Sequence, residues 1–105
     1  MVDEATILAA ADLLRAAAPG SGVILFGSYA RGDAQESSDL DFLVIEPQLN
    51  SKHAEMVRLQ RVLRPLGVSA DVLVTSRSAF EEWRDTPNNV LYDAAREGRV
   101  LHEVE

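Results

Sequence analysis

Residues 39–45 read Asp-Leu-Asp-Phe-Leu-Val-Ile, and a segment of this kind is best accommodated as a strand with two very different faces. Strand side chains alternate, so Asp39 and Asp41 point one way while Leu40, Phe42 and Val44 point the other, into a core. Pro47 closes the run. Carboxylates at i and i+2 on one strand face lie about 7 Å apart along the chain. They repel each other, and the arrangement is costly unless something cationic sits between them. Mg²⁺ is the natural candidate, because it takes a couple of protein carboxylates and completes its shell with water and phosphate oxygens. The bland alternative is a solvated strand face, but Leu43 and Ile45 share the face of the two acids and argue against it.

The flanking sequence supplies the partners such a strand needs. Residues 3–18 predict an amphipathic helix, with Ile7, Leu8, Ala11, Leu14 and Ala18 at helical spacing and Pro19-Gly20 ending the run. Gly22 opens Val23-Ile24-Leu25-Phe26, a short apolar stretch that predicts a buried strand. Gly27-Ser28 follows at once, and Tyr29 to Gly32 leaves room for about one helical turn. Residues 33–38 read as loop. Lys52 to Arg64 predicts a second amphipathic helix, with Met56, Leu59, Val62, Leu63 and Leu66 on one face and Pro65 and Gly67 stopping it. Residues 69–75 predict a third strand. Ser78 with Glu81 is a capping-box signal for a short helix through Phe80 and Trp83. Thr86-Pro87 predicts another helix start, Gly98 its end, and Val100-Leu101 a last short strand. This order predicts an α/β (α+β) fold, one domain over residues 1–105 with a small mixed β-sheet covered by helices.

Composition narrows the function classes. A chain of 105 residues is one domain on the usual length of about 100–200 residues. With 47% hydrophobic and 26% charged residues it can bury a small core, which argues against wholesale disorder. Ten basic against 17 acidic residues leave a net charge of −7, which disfavours a broad grip on nucleic acid. One nucleotide stays within reach, because a few fixed cations and backbone N–H groups can hold its phosphates. The absence of cysteine removes disulfides, thiolate metal sites and a Cys nucleophile together. The acidic start, with Asp12 and Arg15 breaking the apolar face, fits neither a secretory signal nor a membrane span, so a cytoplasmic protein is expected.

Two further groups fit the chemistry of the paired acids. In residues 69–75, Ala70, Val72 and Val74 share one face and Asp71 takes the other. If the third strand lies beside the second, Asp39, Asp41 and Asp71 converge. Three acids with divalent cations form a clamp for in-line displacement at phosphorus. Gly27-Ser28, between a strand end and a helical turn, offers close backbone approach, a hydroxyl and N–H groups for an anion. Arg31 lies one turn further on, either a phosphate contact or a surface ion pair. Ser38 either contacts the ligand or shapes the approach to Asp39.

Gly27-Ser28, ten intervening residues, Asp39-Leu40-Asp41 and a later Asp71 in a strand resemble the nucleotidyltransferase superfamily related to DNA polymerase beta. The short length and the run Gly-Ser-Tyr-Ala-Arg-Gly-Asp-Ala-Gln-Glu-Ser-Ser-Asp-Leu-Asp-Phe-Leu-Val-Ile-Glu are most similar to its minimal nucleotidyltransferases, antitoxins commonly encoded beside a HEPN-domain toxin. The resemblance implies a nucleotidyltransferase-like domain in which Asp39 and Asp41 bind Mg²⁺. Asp71 would complete the metal site, and Gly27 and Ser28 would hold the triphosphate of ATP. It implies transfer of AMP to a tyrosine hydroxyl of a HEPN RNase toxin, in a hetero-oligomer with that toxin. Two other readings stand beside it: an antitoxin that neutralises by binding alone, and a small-molecule adenylyltransferase of the antibiotic-modifying kind. The absence of a second domain speaks against the last.

The remaining conspicuous residues read as ordinary. His53 and His102 are lone surface histidines, and Trp83 with Phe80, and Tyr92 with its neighbours, read as core or partner contacts. Arg58, Arg61 and Arg64 form a solvated helix face, or a strip that docks an acidic partner.

Overall fold

The computed structural model describes all 105 residues. Helix α1 (Glu4–Ala17) leads into strand β1 (Gly22–Phe26), the one-turn helix α2 (Ser28–Arg31) and strand β2 (Leu40–Glu46). Helix α3 (Lys52–Val62) and a 3₁₀ turn at Arg64–Leu66 follow. Strand β3 (Ala70–Ser76), helices α4 (Arg77–Trp83) and α5 (Val90–Glu97) and strand β4 (Arg99–His102) complete the chain.

The four strands form one mixed sheet in the order β3-β2-β1-β4. Strand β1 runs antiparallel to β2 and to β4, whereas β2 and β3 are parallel. The parallel pair needs a crossover, and α3 provides it. This sheet, covered by helices on both faces, is the α+β arrangement expected from the element order.

The two faces are unequally filled. Leu25, Leu40, Phe42, Val44, Val72 and Val74 face α1 and α3, in a cluster of 15 buried residues that includes Leu14, Leu59 and Leu63. The opposite face has a cluster of five, Ile24, Leu43, Ile45, Phe80 and Ala94, beneath α4 and α5. Helix α1 starts at Asp3, whose carboxylate accepts from the Thr6 N–H at 2.9 Å, and α3 starts at Ser51, which accepts from Ala54.

Two helix starts differ from the sequence reading. Helix α4 is capped by Ser76, whose hydroxyl accepts from the Ala79 N–H at 3.1 Å, so Ser78 and Glu81 lie inside the helix and form no capping box. Strand β3 runs directly into the helix, and its last residue does the capping. Helix α5 begins at Val90 rather than at Thr86-Pro87. The Asn89 side chain caps it, accepting from the N–H groups of Leu91 and Tyr92 at 2.9 and 3.1 Å. The same side chain donates to the carbonyls of Trp83 and Thr86, which holds residues 84–89 as a turn. The other boundaries fall within two residues of expectation, and Gly98 ends α5 with its N–H on the Ala94 carbonyl.

Candidate active site

Three chain segments meet at one end of the sheet: the C-terminal end of β1 and the N-terminal ends of β2 and β3. Register sets the meeting. Asp41 pairs with Phe26 across the antiparallel ladder and with Asp71 across the parallel one. Asp71 shares its sheet face with Asp41, because Ala70 and Val72 on either side of it turn into the large core. Asp39 stands just ahead of β2, opposite Ser69, and the Ser69 hydroxyl donates to its carboxylate. The Leu40 N–H donates to the Ser69 carbonyl at 3.0 Å, which locks the two strand entrances together.

Electrostatics show the other two acids acting on Asp41. Asp41 is half-buried, and burial pushes its carboxyl above the usual carboxylate range, with the charges of Asp71 and then Asp39 adding to the rise. Arg31 partly offsets this, and Glu97 reinforces it.

The turn after β1 closes over this group. Gly27 has φ 74° and ψ −156°, a conformation essentially restricted to glycine. A Cβ at this position would run into Asp41 Oδ2, so the backbone lies directly against the carboxylate. Ser28 then starts α2, which ends on Gly32 in the left-handed region at φ 86°. Tyr29 steadies the turn from behind, its hydroxyl accepting from the Val2 N–H at 3.1 Å.

The other residues singled out fall as follows. Arg31 is in ion pairs, with its Nε 3.3 Å from Asp33 Oδ2 and its Nη1 3.2 Å from Glu97 Oε1. The Ser38 hydroxyl accepts from the Gln35 N–H at 2.8 Å and closes the 33–38 loop in front of Asp39. His53 is exposed, and His102 pairs with Asp12 at 2.8 Å, so neither approaches the acids. Trp83 is exposed while Phe80 is buried. The Arg58 guanidinium is held by Glu55 on its own helix.

Sequence reasoning missed two residues. Ser69 orients Asp39, and only the parallel register puts them side by side. Glu97 accepts from both the Gly27 N–H and Arg31, each at 3.2 Å, across 70 and 66 residues of chain.

The donor set suits a hard divalent cation: carboxylates only, mutually repelling, beneath a turn whose missing Cβ leaves room for Asp41. As the side chains stand, no three of them close on a single point. Asp39, Asp41 and Asp71 are the residues that would hold such an ion.

The pattern of the family described as "Nucleotidyltransferase domain" matches residues 9–101, nearly the whole chain. This chain belongs to that family. The nucleotidyltransferase domain is 36% identical over 83 residues to "Putative protein adenylyltransferase MJ0604" of Methanocaldococcus jannaschii, covering 76% of each chain. A similarly named protein of that organism, MJ0141, is 36% identical over 53 residues, 50% of this chain and 52% of that one. Among solved structures, a chain of a toxin–antitoxin crystal structure with AMP-PNP superimposes with a TM-score of 0.67 at 22% identity, covering 99% of this chain and 76% of that one. A chain of a toxin–antitoxin MntA-HpeT mutant gives 0.65 at 21% identity, with the same coverage. At those identities the superpositions establish the fold, and the expected nucleotidyltransferase-like architecture is therefore observed. No helix is long and apolar enough to cross a membrane.

Proposed function

We propose that this nucleotidyltransferase is an antitoxin that transfers AMP from ATP to a tyrosine hydroxyl of a cognate HEPN-domain RNase toxin and thereby silences it. The observation that carries the reading is the register that sets Asp41 beside Asp71, with Asp39 at the strand entrance and the Gly27-Ser28 turn against Asp41. The similarity to proteins named as protein adenylyltransferases supports a protein acceptor, and the toxin–antitoxin structures support a toxin as that protein.

In this reading Asp39, Asp41 and Asp71 hold Mg²⁺, which supplies charge neutralisation for the triphosphate and for the leaving pyrophosphate. Gly27 and Ser28 hold the triphosphate through backbone N–H groups and the Ser28 hydroxyl. The acceptor oxygen attacks the α-phosphorus as the bond to the β-phosphate oxygen breaks. Asp71, the most solvent-open strand acid, takes the hydroxyl proton. Ser69 is a positioning residue, holding the Asp39 carboxylate at the strand entrance through its hydroxyl. The likeness to proteins named as protein adenylyltransferases and to chains of toxin–antitoxin structures supports an acceptor on a separate protein, in a hetero-oligomer with it.

Intact-mass spectrometry tests this directly. With ATP and Mg²⁺ the toxin gains about 329 Da for each AMP transferred. Asp39→Asn with Asp41→Asn slows the transfer at least ~1,000-fold, since the charge that binds the metal is gone and the shape is kept. No adduct on a competent toxin would sink the reading. Protection of cells by the double variant would instead favour neutralisation by binding alone.

A further inference from the structure

Glu97 lies at the end of α5 and reaches across to the turn that follows β1. One of its oxygens, Oε1, accepts both from the Gly27 N–H and from Arg31 Nη1, each at 3.2 Å. Asp33 takes the Nε edge of the same guanidinium at 3.3 Å. Two carboxylates thus engage the cation nearest the turn, and one of them also engages the turn's own backbone donor. The end of α5 is firmly set. Gly98 packs so closely that a Cβ there would meet Ile24 Cγ2 and the Ala94 carbonyl. Only the flexible Glu97 side chain, itself 28% exposed, lies between that fixed point and the turn.

A carboxylate oxygen and a phosphate oxygen ask for the same partners: N–H donors and a guanidinium fork. We infer that Glu97 is a built-in competitor for the phosphates of the nucleotide, occupying the Gly27 amide and Arg31 until the triphosphate displaces it. This rests on the nucleotide-binding reading above and names a residue that sets affinity within it. Displacement has a second consequence. Arg31, released from Glu97, becomes free to pair with a phosphate oxygen, so the ion pair seen here and a phosphate contact are two states of one residue.

The test is Glu97→Gln in the full chain, whose amide oxygen can still accept from Gly27 but whose negative charge is gone. Isothermal titration with ATP in Mg²⁺ and with inorganic tripolyphosphate without metal gives tighter binding of both, for ATP by about tenfold. In the transfer assay the gain lies in KM rather than in kcat. Glu97→Ala moves both affinities the same way, and unchanged thermal unfolding of both variants confirms that the fold is kept. Equal or weaker binding by the variants, or a lowered kcat with KM unchanged, overturns the inference and makes Glu97 a brace for the turn. So does failure of wild type and variants alike to bind either probe. Transfer by the wild type with no affinity gain in the variants removes this inference alone. An affinity gain without any adduct on the toxin removes the transfer reading alone.

Discussion

On β2 the side chains of Leu40, Phe42 and Val44 enter a core of 15 buried residues, while Asp41, Leu43 and Ile45 face one of only five. One strand therefore divides two tasks between its faces. The α1/α3 side supplies most of the apolar burial and fixes the sheet. The α4/α5 side is thinly packed, and one end of it is given to carboxylates, among which burial and then the charges of Asp71 and Asp39 raise the proton affinity of Asp41. A small domain tolerates such repulsion because the opposite face holds the strands in register without help from the site.

Truncating a phenylalanine on each side breaks this comparison most directly. Phe42 is fully buried in the large core, and Phe42→Ala should cost about 3–5 kcal/mol. Phe80, at 6% exposure over the small cluster, has fewer buried neighbours, and Phe80→Ala should cost about 2–3 kcal/mol. Urea unfolding measures both. Equal costs would mean that the two faces share the load.

Gly27→Ala comes next. The glycine-only backbone conformation adds about 1–3 kcal/mol of strain, and the new Cβ collides with Asp41 Oδ2. Transfer should fall at least ~100-fold, because Asp41 must move. A variant that loses stability but keeps full transfer would separate the turn from the chemistry.

What the sequence disclosed follows the same division. Alternation along β2 and β3 was enough to assign the faces, since a one-residue slip would have buried Asp41 and exposed Phe42. Asp39 and Asp41 were legible as a pair, and Asp71 became their neighbour only through the parallel pairing of β2 with β3. Ser69 and Glu97 left no local trace, because both act across long stretches of chain. The starts of α4 and α5 were misplaced for a related reason. Several residues near each start could cap, and the choice of Ser76 and Asn89 depends on where the preceding backbone arrives.

A smaller effect sharpens the electrostatic half of the comparison. A cation bound among Asp39, Asp41 and Asp71 relieves their repulsion in the folded state alone. Mg²⁺ at about tenfold above its Kd should therefore raise stability by about 1.4 kcal/mol and lift Tm by several degrees. The Asp39→Asn, Asp41→Asn double variant should show no such shift. It should also start from a slightly higher Tm at neutral pH, since burial disfavours the charged form of Asp41. Calorimetric scans with and without Mg²⁺ decide both points, and an equal shift in the double variant would place the ion elsewhere.

The last and smallest effect lies at the other end of β2, where Glu46 faces Glu55 and Arg58. Burial pushes the Glu46 carboxyl up to about 7, reinforced by a hydrogen bond to Glu55, while Arg58, then Glu46, pulls Glu55 down to about 2. Glu46 Oε2 is buried without a partner, and a proton on it provides the donor that Glu55 can accept. The folded chain thus holds a proton on Glu46 that the unfolded chain releases near pH 4.5, so this group's contribution is fully present below that pH. It is lost as pH rises through about 7. Glu55 works in the opposite sense, contributing above pH 4.5 and losing that contribution toward about 2. Glu46→Gln removes the first effect and leaves the larger part of the second, because the fork between Arg58 and Glu55 remains. The variant should match the wild type near pH 4.5 and be more stable at pH 8, by about 1 kcal/mol once solvent screening of this partly exposed group is allowed for. The paired acids at the site are the same in both proteins, so the difference between their urea-derived stability curves isolates Glu46. Parallel curves from pH 4.5 to 8 would show that Glu46 is ionised throughout, and that the carboxylates at the two ends of β2 differ in chemistry rather than in charge state.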